Sequence, residues 1–440
     1  MNTGTHPPRP LNETGGEAKT GGTDTATGVD LGNERAAVDR SLFEPEEGEA
    51  PFARTVLTTP LHLSVAAESR TNLWTQWNGH TTPDVLTDPG DEYRALRGAA
   101  ALADISPLVK YRIAGRDALA CLERLVTRGL ATLEINRALH VVFCEGNGFV
   151  LGDGLLFRLA EDEFRLVTEE THLAWLLDSA EGFRVRIEDV SATLAALSVQ
   201  GPLAAFCLAS AGVAGIAELA PAAACWSELA GMPVYVSRTG ASGDLGYELW
   251  MDPEDAPHIW RHLMEKSGQY GLCPAGFALR ELARLEAGLP RAGRDYLSAF
   301  AAINRADALT PFDLRANPVI DFGKPVFNGR EALRRLADAP PRRRLVSLVV
   351  DGLEPVRFAA VSLDGRAIGT ATTTGFSPAL GANIALATLD AAALSALSFA
   401  VKAEIRDGIA VRDLLLTARI MGEPAWNPPR RRAVPALFTA

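Results

Sequence analysis

The sequence predicts an α+β fold closed by a small all-β domain. Three observations carry that prediction. Between Asp91 and Gly288, short strand–turn–strand units alternate with amphipathic helices, as in antiparallel hairpins and not a wound parallel sheet. Beyond Pro340-Pro341 the strands run on without a strong helix. A chain of 440 residues, 47% hydrophobic and 22% charged, is also long enough for two or three domains with real cores.

Residues 1–52 are rich in Gly, Thr and Glu and poor in aromatics. They bury too little apolar area to offset their ordering entropy, so a disordered acidic tail is expected there. They lack an apolar run of the kind a signal peptide carries, and no stretch approaches the ~18 apolar residues of a membrane span. The main domain is expected over residues 53–338. Its spacing predicts a helix over 92–102, a strand over 109–113 and a helix over 117–126. Two hairpins follow: 140–144 with 149–159 around the turn Glu145-Gly146-Asn147-Gly148, then 155–159 with 164–168. Strands over 234–239 and 245–251 and helices over 255–266 and 277–287 complete it. The C-terminal β-barrel domain is expected over 342–440. Its strands are 345–350, 359–363, 367–372, 399–405 and 411–418, with Asp364-Gly365 and Asp407-Gly408 as turns.

Charge and cysteine usage exclude several functions. The net charge is −11, and the first 50 residues hold ten acidic against four basic side chains. Such a chain has no general attraction to nucleic-acid phosphates, and neither a nucleic acid nor a membrane is an expected partner. Cys121, Cys144, Cys207, Cys225 and Cys273 form no C-x-x-C pair and read as small core residues of a reducing, cytoplasmic compartment. His258 and His262 share a helix face but lack a third ligand, so no metal site is expected. Gly240-x-x-Gly243-x-x-Gly246 joins two strands and opens no helix, so it fails the context of a dinucleotide loop.

Two carboxylates stand out on strands: Asp153 in GFVLGDG and Glu248 in LGYELW. An acid inside a β-rich apolar stretch is costly unless something pairs with it. Asp153 has a plain alternative as a turn or bulge residue bonding local amides. Alternation places Glu248 on the face of Gly246 and Trp250. On the following helix Arg280 and Arg284 share a face suited to an anion.

These segments and five others stand in a recognisable order: residues 102–106 (LADIS), 148–153, 199–202 (VQGP), 237–248, 280–288 (RELARLEAG), 310–313 (TPFD), 321–333 (DFGKPVFNGREAL) and 369–384 (GTATTTGFSPALGANI). On them the chain resembles the glycine-cleavage T-protein (aminomethyltransferase) superfamily over residues 93–418. That resemblance implies three subdomains around a central folate channel, the last a small β-barrel. It implies a tetrahydrofolate-dependent one-carbon transferase, with tetrahydrofolate and a small methylated donor as its small-molecule partners. By position Asp153 matches the essential catalytic aspartate. Glu248 matches the pterin-binding glutamate and Arg280 the arginine meeting the glutamyl carboxylates. Asp104 joins them as a folate-binding acid.

The departures cluster at the reaction centre. The first acid of the family's paired aspartates is Gly152, a pocket tyrosine is His140, a pocket asparagine is Glu169, and Ala241 and Trp77-Asn78 also diverge. The resemblance therefore points to the folate-dependent demethylases more than to the housekeeping T-protein. A lipoyl carrier protein is the less expected donor, and a glycine-cleavage aminomethyltransferase or a non-catalytic folate-binding scaffold are the alternatives. His140 and Glu169 are candidate catalytic residues on the donor side. A methyl ether cannot leave as a bare alkoxide at low cost, and histidine titrates in the range of a useful proton donor. Glu169 is expected either to hold His140 as imidazolium or to neutralise a cationic donor.

Overall fold

Residues 57–352, 359–407, 410–432 and 434 are described by a computed structural model; the expected tail over residues 1–52 lies outside them. Two antiparallel-rich sheets precede the C-terminal barrel. One has five strands in the order Arg137–Cys144, Val150–Ala160, Glu163–Thr168, Val109–Ala114 and Arg186–Asp189. The other has six: Ala224–Leu229, Met232–Ser237, Gly246–Met251, Ala195–Gln200, Ala100–Asp104 and Leu272–Pro274. A small sheet of Leu57–Thr58, His80–Val85 and Leu73–Trp77 adds Trp77 to their shared core.

Alternation along the strands decides what each face buries. From the six-stranded sheet, Tyr235, Trp250 and Ala196 meet Phe157, Ala138 and Val167 of the five-stranded sheet. The opposite face of the six-stranded sheet, with Tyr247, Leu249 and Met251, packs against the helices Ala204–Ser210 and Ala256–Ser267. The outer face of the five-stranded sheet is covered by Ala118–Leu125 and Leu173–Ser179. His262 of the surface helix donates through Nε2 to the Ala211 carbonyl at 2.8 Å. No described helix is long and apolar enough to cross a membrane.

The C-terminal strands close a six-stranded barrel: Arg343–Val350, Ala382–Asp390, Arg366–Ser377, Ala359–Leu363, Phe399–Asp407 and Ala410–Ile420. The strand Ala382–Asp390 is absent from the sequence prediction. Its alanines disfavour a strand reading, yet Ala385 and Ala387 are the small side chains that fit the barrel interior. The predicted helix over 92–102 also changes. It runs Pro89–Gly98 behind the Asp88 cap, whose carboxylate accepts the Gly90 and Asp91 amides, and residues 100–104 become a central strand.

The helix Phe277–Glu286 ties the barrel to the two sheets. Asp295, buried, accepts Arg284 Nη1 at 2.7 Å and the hydroxyls of Thr372 and Thr373 at 2.6 Å. Arg284 is fully buried between Asp295, Glu281 and Thr373, so it is joint material and not the anion grip its spacing suggested.

Candidate active site: a folate-type cavity beside a paired acid

A cavity opens against the six-stranded sheet and the helix Phe277–Glu286. Its walls are mostly apolar, with Ile105, Leu108, Ala275 and Leu279 among them, and its polar groups include Gln200, Ser242, Glu248 and Arg280. Glu248 reaches it from the face shared with Trp250, as alternation requires. Thr239 donates to its Oε2 at 2.5 Å. Burial pushes the Glu248 carboxyl up, with Glu169 adding to the effect and Thr239 and Arg280 opposing it.

Arg280 is not a free cation. Its Nη2 donates to Glu169 Oε1, and its Cζ lies 4.5 Å from the centre of the Trp77 ring. Both partners of this ion pair are largely buried. Glu169 takes one arm of the Arg280 guanidinium, while Nη1 remains without a hydrogen-bond partner among the described residues. Asn78 fixes Glu169 from below, donating to its carbonyl at 2.8 Å and to that of Pro107 at 2.9 Å. Glu169 thus holds Arg280, and the expectation that it holds His140 is corrected.

His140 is held by Asp153. Its Nε2 donates to Asp153 Oδ2 at 2.7 Å, and Tyr296 donates its hydroxyl to Oδ1. Burial alone would raise the Asp153 carboxyl; the hydrogen bond and charge of His140, with the Tyr296 hydroxyl, hold it below the usual carboxylate range. Burial likewise opposes charging His140, yet the bond and charge of Asp153 raise it above the ordinary imidazole value. The His140 side chain is 48% exposed, so the pair is open to the outside on the histidine side. Asp153 is therefore an ion-paired anchor and not a local turn residue.

Two residues complete the centre that sequence reasoning missed. Tyr296 is buried, and burial beside Asp153 keeps its phenol protonated, so it stays a donor. His172 packs edge-on against Phe143, their ring centres 4.9 Å apart, and burial lowers it to about 4, so it is neutral at pH 7. A Cβ at Gly152 would lie 2.6 Å from His172 Nε2 and 2.8 Å from Phe143 Cζ. The space of a side chain at position 152 is thus filled by His172 and Phe143. The Asp-Tyr pair at 295–296 after the RELARLEAG helix was the visible signal for Tyr296, and nothing in the sequence singled out His172.

Asp104 does not join the site. Its neighbours Ala103 and Ile105 line the cavity, whereas its own carboxylate is buried and accepts the Ser106 amide at 2.8 Å. Strand alternation turns it away, so it is a structural acid.

The residues present fit a folate. An acid in a mostly apolar slot suits the adjacent N–H donors of a pterin amide, which a carboxylate meets bidentately. Close to it, Glu169 Oε2, Arg280 Nη1 and Trp77 Nε1 are buried without a hydrogen-bond partner among the described residues. Buried polar atoms are rarely left so unless a ligand or water completes them.

The profile described as the GCVT N-terminal domain matches residues 70–305, and that of the glycine cleavage T-protein C-terminal barrel domain matches 343–423. The aminomethyltransferase of Saccharopolyspora erythraea is 34% identical over 339 residues, covering 76% of this chain and 89% of that protein. The aminomethyltransferase of Moorella thermoacetica is 31% identical over 361 residues, covering 81% and 94%. The crystal structure of glycine cleavage system aminomethyltransferase T from Bartonella henselae has a TM-score of 0.74 and 24% identity, and covers 87% of this chain and all of that one. At that identity it speaks for the fold alone.

Proposed function

The chain belongs to the glycine-cleavage T-protein (aminomethyltransferase) superfamily of tetrahydrofolate-dependent transferases, and from that premise we propose that it moves a methyl group from a small methylated donor to tetrahydrofolate. The observation that carries this reading is the His140–Asp153 pair at the reaction centre, 2.7 Å apart. Tetrahydrofolate, when bound, supplies the amine that receives the one-carbon unit. Glu248 orients the pterin by accepting its N–H donors. Asp153, anchored by Tyr296, stays ionised and stabilises positive charge that develops nearby. Its lowered carboxyl makes it a poor proton carrier, so that task falls to His140. With Nε2 donating to Asp153, Nδ1 is the nitrogen from which a proton can pass to the departing heteroatom.

A second reading is aminomethyl transfer from a lipoyl carrier protein. The names of relatives at 31–34% identity favour it. Neutral methyl ethers, sulfonium and methylamine donors, and an aminomethyl-loaded carrier protein can be compared with tetrahydrofolate in one assay. Methyl-tetrahydrofolate from a small donor is the expected product; methylene-tetrahydrofolate from the carrier alone would replace the first reading by the second. No product with either, at normal folate affinity, would leave the scaffold reading. We also propose that residues 53–338 and 342–440 are separate domains, and that the enzyme works in the cytoplasm.

A further inference from the structure

The glycine pattern at positions 240, 243 and 246 makes no phosphate loop, but the structure gives it a use. A Cβ on Gly240 or Gly246 would collide with the Gln200 side chain. Gln200 donates through Nε2 to the Thr239 carbonyl at 3.2 Å, and its Oε1 accepts the Ser242 hydroxyl at 2.7 Å. Gln200, Ala241 and Ser242 all line the cavity that holds Glu248. The loop is one wall of that cavity.

Behind the wall runs the C-terminal segment. After the last barrel strand the chain leaves the barrel, and the Trp426 amide donates to the Glu286 carbonyl at 3.0 Å. Trp426 Nε1 then donates to Asp244 Oδ2 at 2.8 Å, and Arg430 grips both oxygens of Asp244 at 2.6 and 2.9 Å. Arg97 is layered between wall and segment. Its Cζ is 4.5 Å from the Trp426 ring centre, Nη1 donates to the Ser242 carbonyl at 3.1 Å, and Nη2 to Glu286 at 2.6 Å. Asp244 is fully buried at its side chain, whereas Arg430 is 26% exposed.

We propose that residues 421–432 form a latch that positions the 240–244 wall of the cavity through Asp244, with Trp426 and Arg430 as positioning residues for tetrahydrofolate binding. The inference rests on the reading of this cavity as the tetrahydrofolate site. If Arg430 lets go, the buried carboxylate loses its fork-shaped partner and keeps only Trp426 Nε1, the Leu245 amide and Arg97 Nη1 at 3.8 Å, so its position loosens. Asp244 then drags Ser242, to whose hydroxyl its amide is bonded at 3.2 Å, away from Gln200. A ligand that needs the wall in place favours the latched state, and by linkage the latch favours the ligand by the same factor.

Calorimetry with tetrahydrofolate and amide exchange of the full chain test this. Arg430→Ala should weaken binding about tenfold, within the usual range of such couplings, and speed exchange at Asp244 and Leu245. Turnover at saturating tetrahydrofolate should stay within about twofold of wild type. Arg430→Lys, which keeps the charge but not the fork, should fall between. Should Trp426→Ala fail to fold, Trp426→Phe keeps the stack and removes only the Nε1 bond. Arg419→Ala, on an exposed barrel pair with Asp351, is the control and should change neither reading. A lower melting temperature with unchanged affinity and unchanged exchange at residues 244–245 would overturn the latch. If wild type binds no tetrahydrofolate, the reading of the cavity falls, and exchange at 244–245 alone judges the latch.

Discussion

The cavity around Glu248 and the centre around Asp153 use the same functional group in opposite ways. Glu248 projects into a mostly apolar slot with one hydroxyl donor on Oε2, and burial raises its carboxyl. Asp153 is crowded too, but an imidazole and a phenol hold its two oxygens and its carboxyl is lowered. Surroundings, not residue type, therefore divide the work. The raised acid is poised to gain from N–H donors that a ligand brings; the lowered acid already has its donors and keeps its charge.

The comparison breaks most visibly at Asp153. Asp153→Asn keeps the shape and removes the charge, so turnover should fall by about 10²- to 10⁴-fold, the usual span for a proton-handling group and its anchor. Folate affinity should stay within a few-fold, because the cavity is untouched, and His140 should titrate lower by NMR. Full turnover in this variant would show that the pair only supports the sheet. Glu248→Ala is the mirror experiment. Removing a buried charge that a ligand bonds typically costs ~2–5 kcal/mol, or roughly 30- to 4000-fold in affinity. Calorimetry should find that loss in tetrahydrofolate binding, and unchanged affinity would remove Glu248 from the pterin.

The two regions were unequally legible in the sequence. Glu248 could be placed by alternation because Gly246–Met251 is a regular strand. The motif anchors were legible for a different reason: many are joints. Thr310 and Asp313 bond each other at 2.7 Å, Lys324 donates to the Val126 and Arg128 carbonyls, and Thr372 and Thr373 bond Asp295. The predicted hairpin, with Cys144 opposite Phe149, sets His140 directly across from Asp153; the structure reaches the same pair through a different register and a β-bulge. Cys144 pairs with Val150, but Phe143 pairs with Gly152, so Leu151 is an extra residue. Carried on from Cys144–Val150 without that shift, the ladder would turn His140 and Asp153 to opposite faces; with it they become diagonal neighbours on one face. Glu169 was misassigned because its partner Arg280 comes from a helix 111 residues away.

His140→Phe sharpens the comparison by removing the donor and leaving the acid. Turnover should fall about a hundredfold, the lower end for a general acid, with folate affinity nearly unchanged. In wild type, turnover should decline as pH rises through the raised His140 value, and the variant's residual activity should lack that alkaline limb. The same pair predicts stability. The raised imidazole stabilises the fold fully below its ordinary value, and that contribution is lost as pH rises through the folded value. The lowered carboxyl contributes above its ordinary value and is lost as pH falls through the folded one. Between the two, melting temperature should be higher in wild type than in His140→Phe; a constant difference at all pH values would contradict the ion pair.

The smallest expected effect tests why the centre has a single acid. A methyl group at position 152 has nowhere to go, because His172 and Phe143 already occupy its space. Overpacking of this kind usually costs ~1–3 kcal/mol, so Gly152→Ala should lower the melting temperature by a few degrees. A backbone preference for glycine and a collision with His172 predict the same single-variant result. The double variant separates them: His172→Ala removes one of the two collisions and leaves Phe143, so adding Gly152→Ala in that background should cost clearly less than it does alone. A coupling of that sign marks the two residues as neighbours competing for one volume. If the two losses instead add, His172 is not what keeps position 152 bare, and the backbone or Phe143 sets the limit.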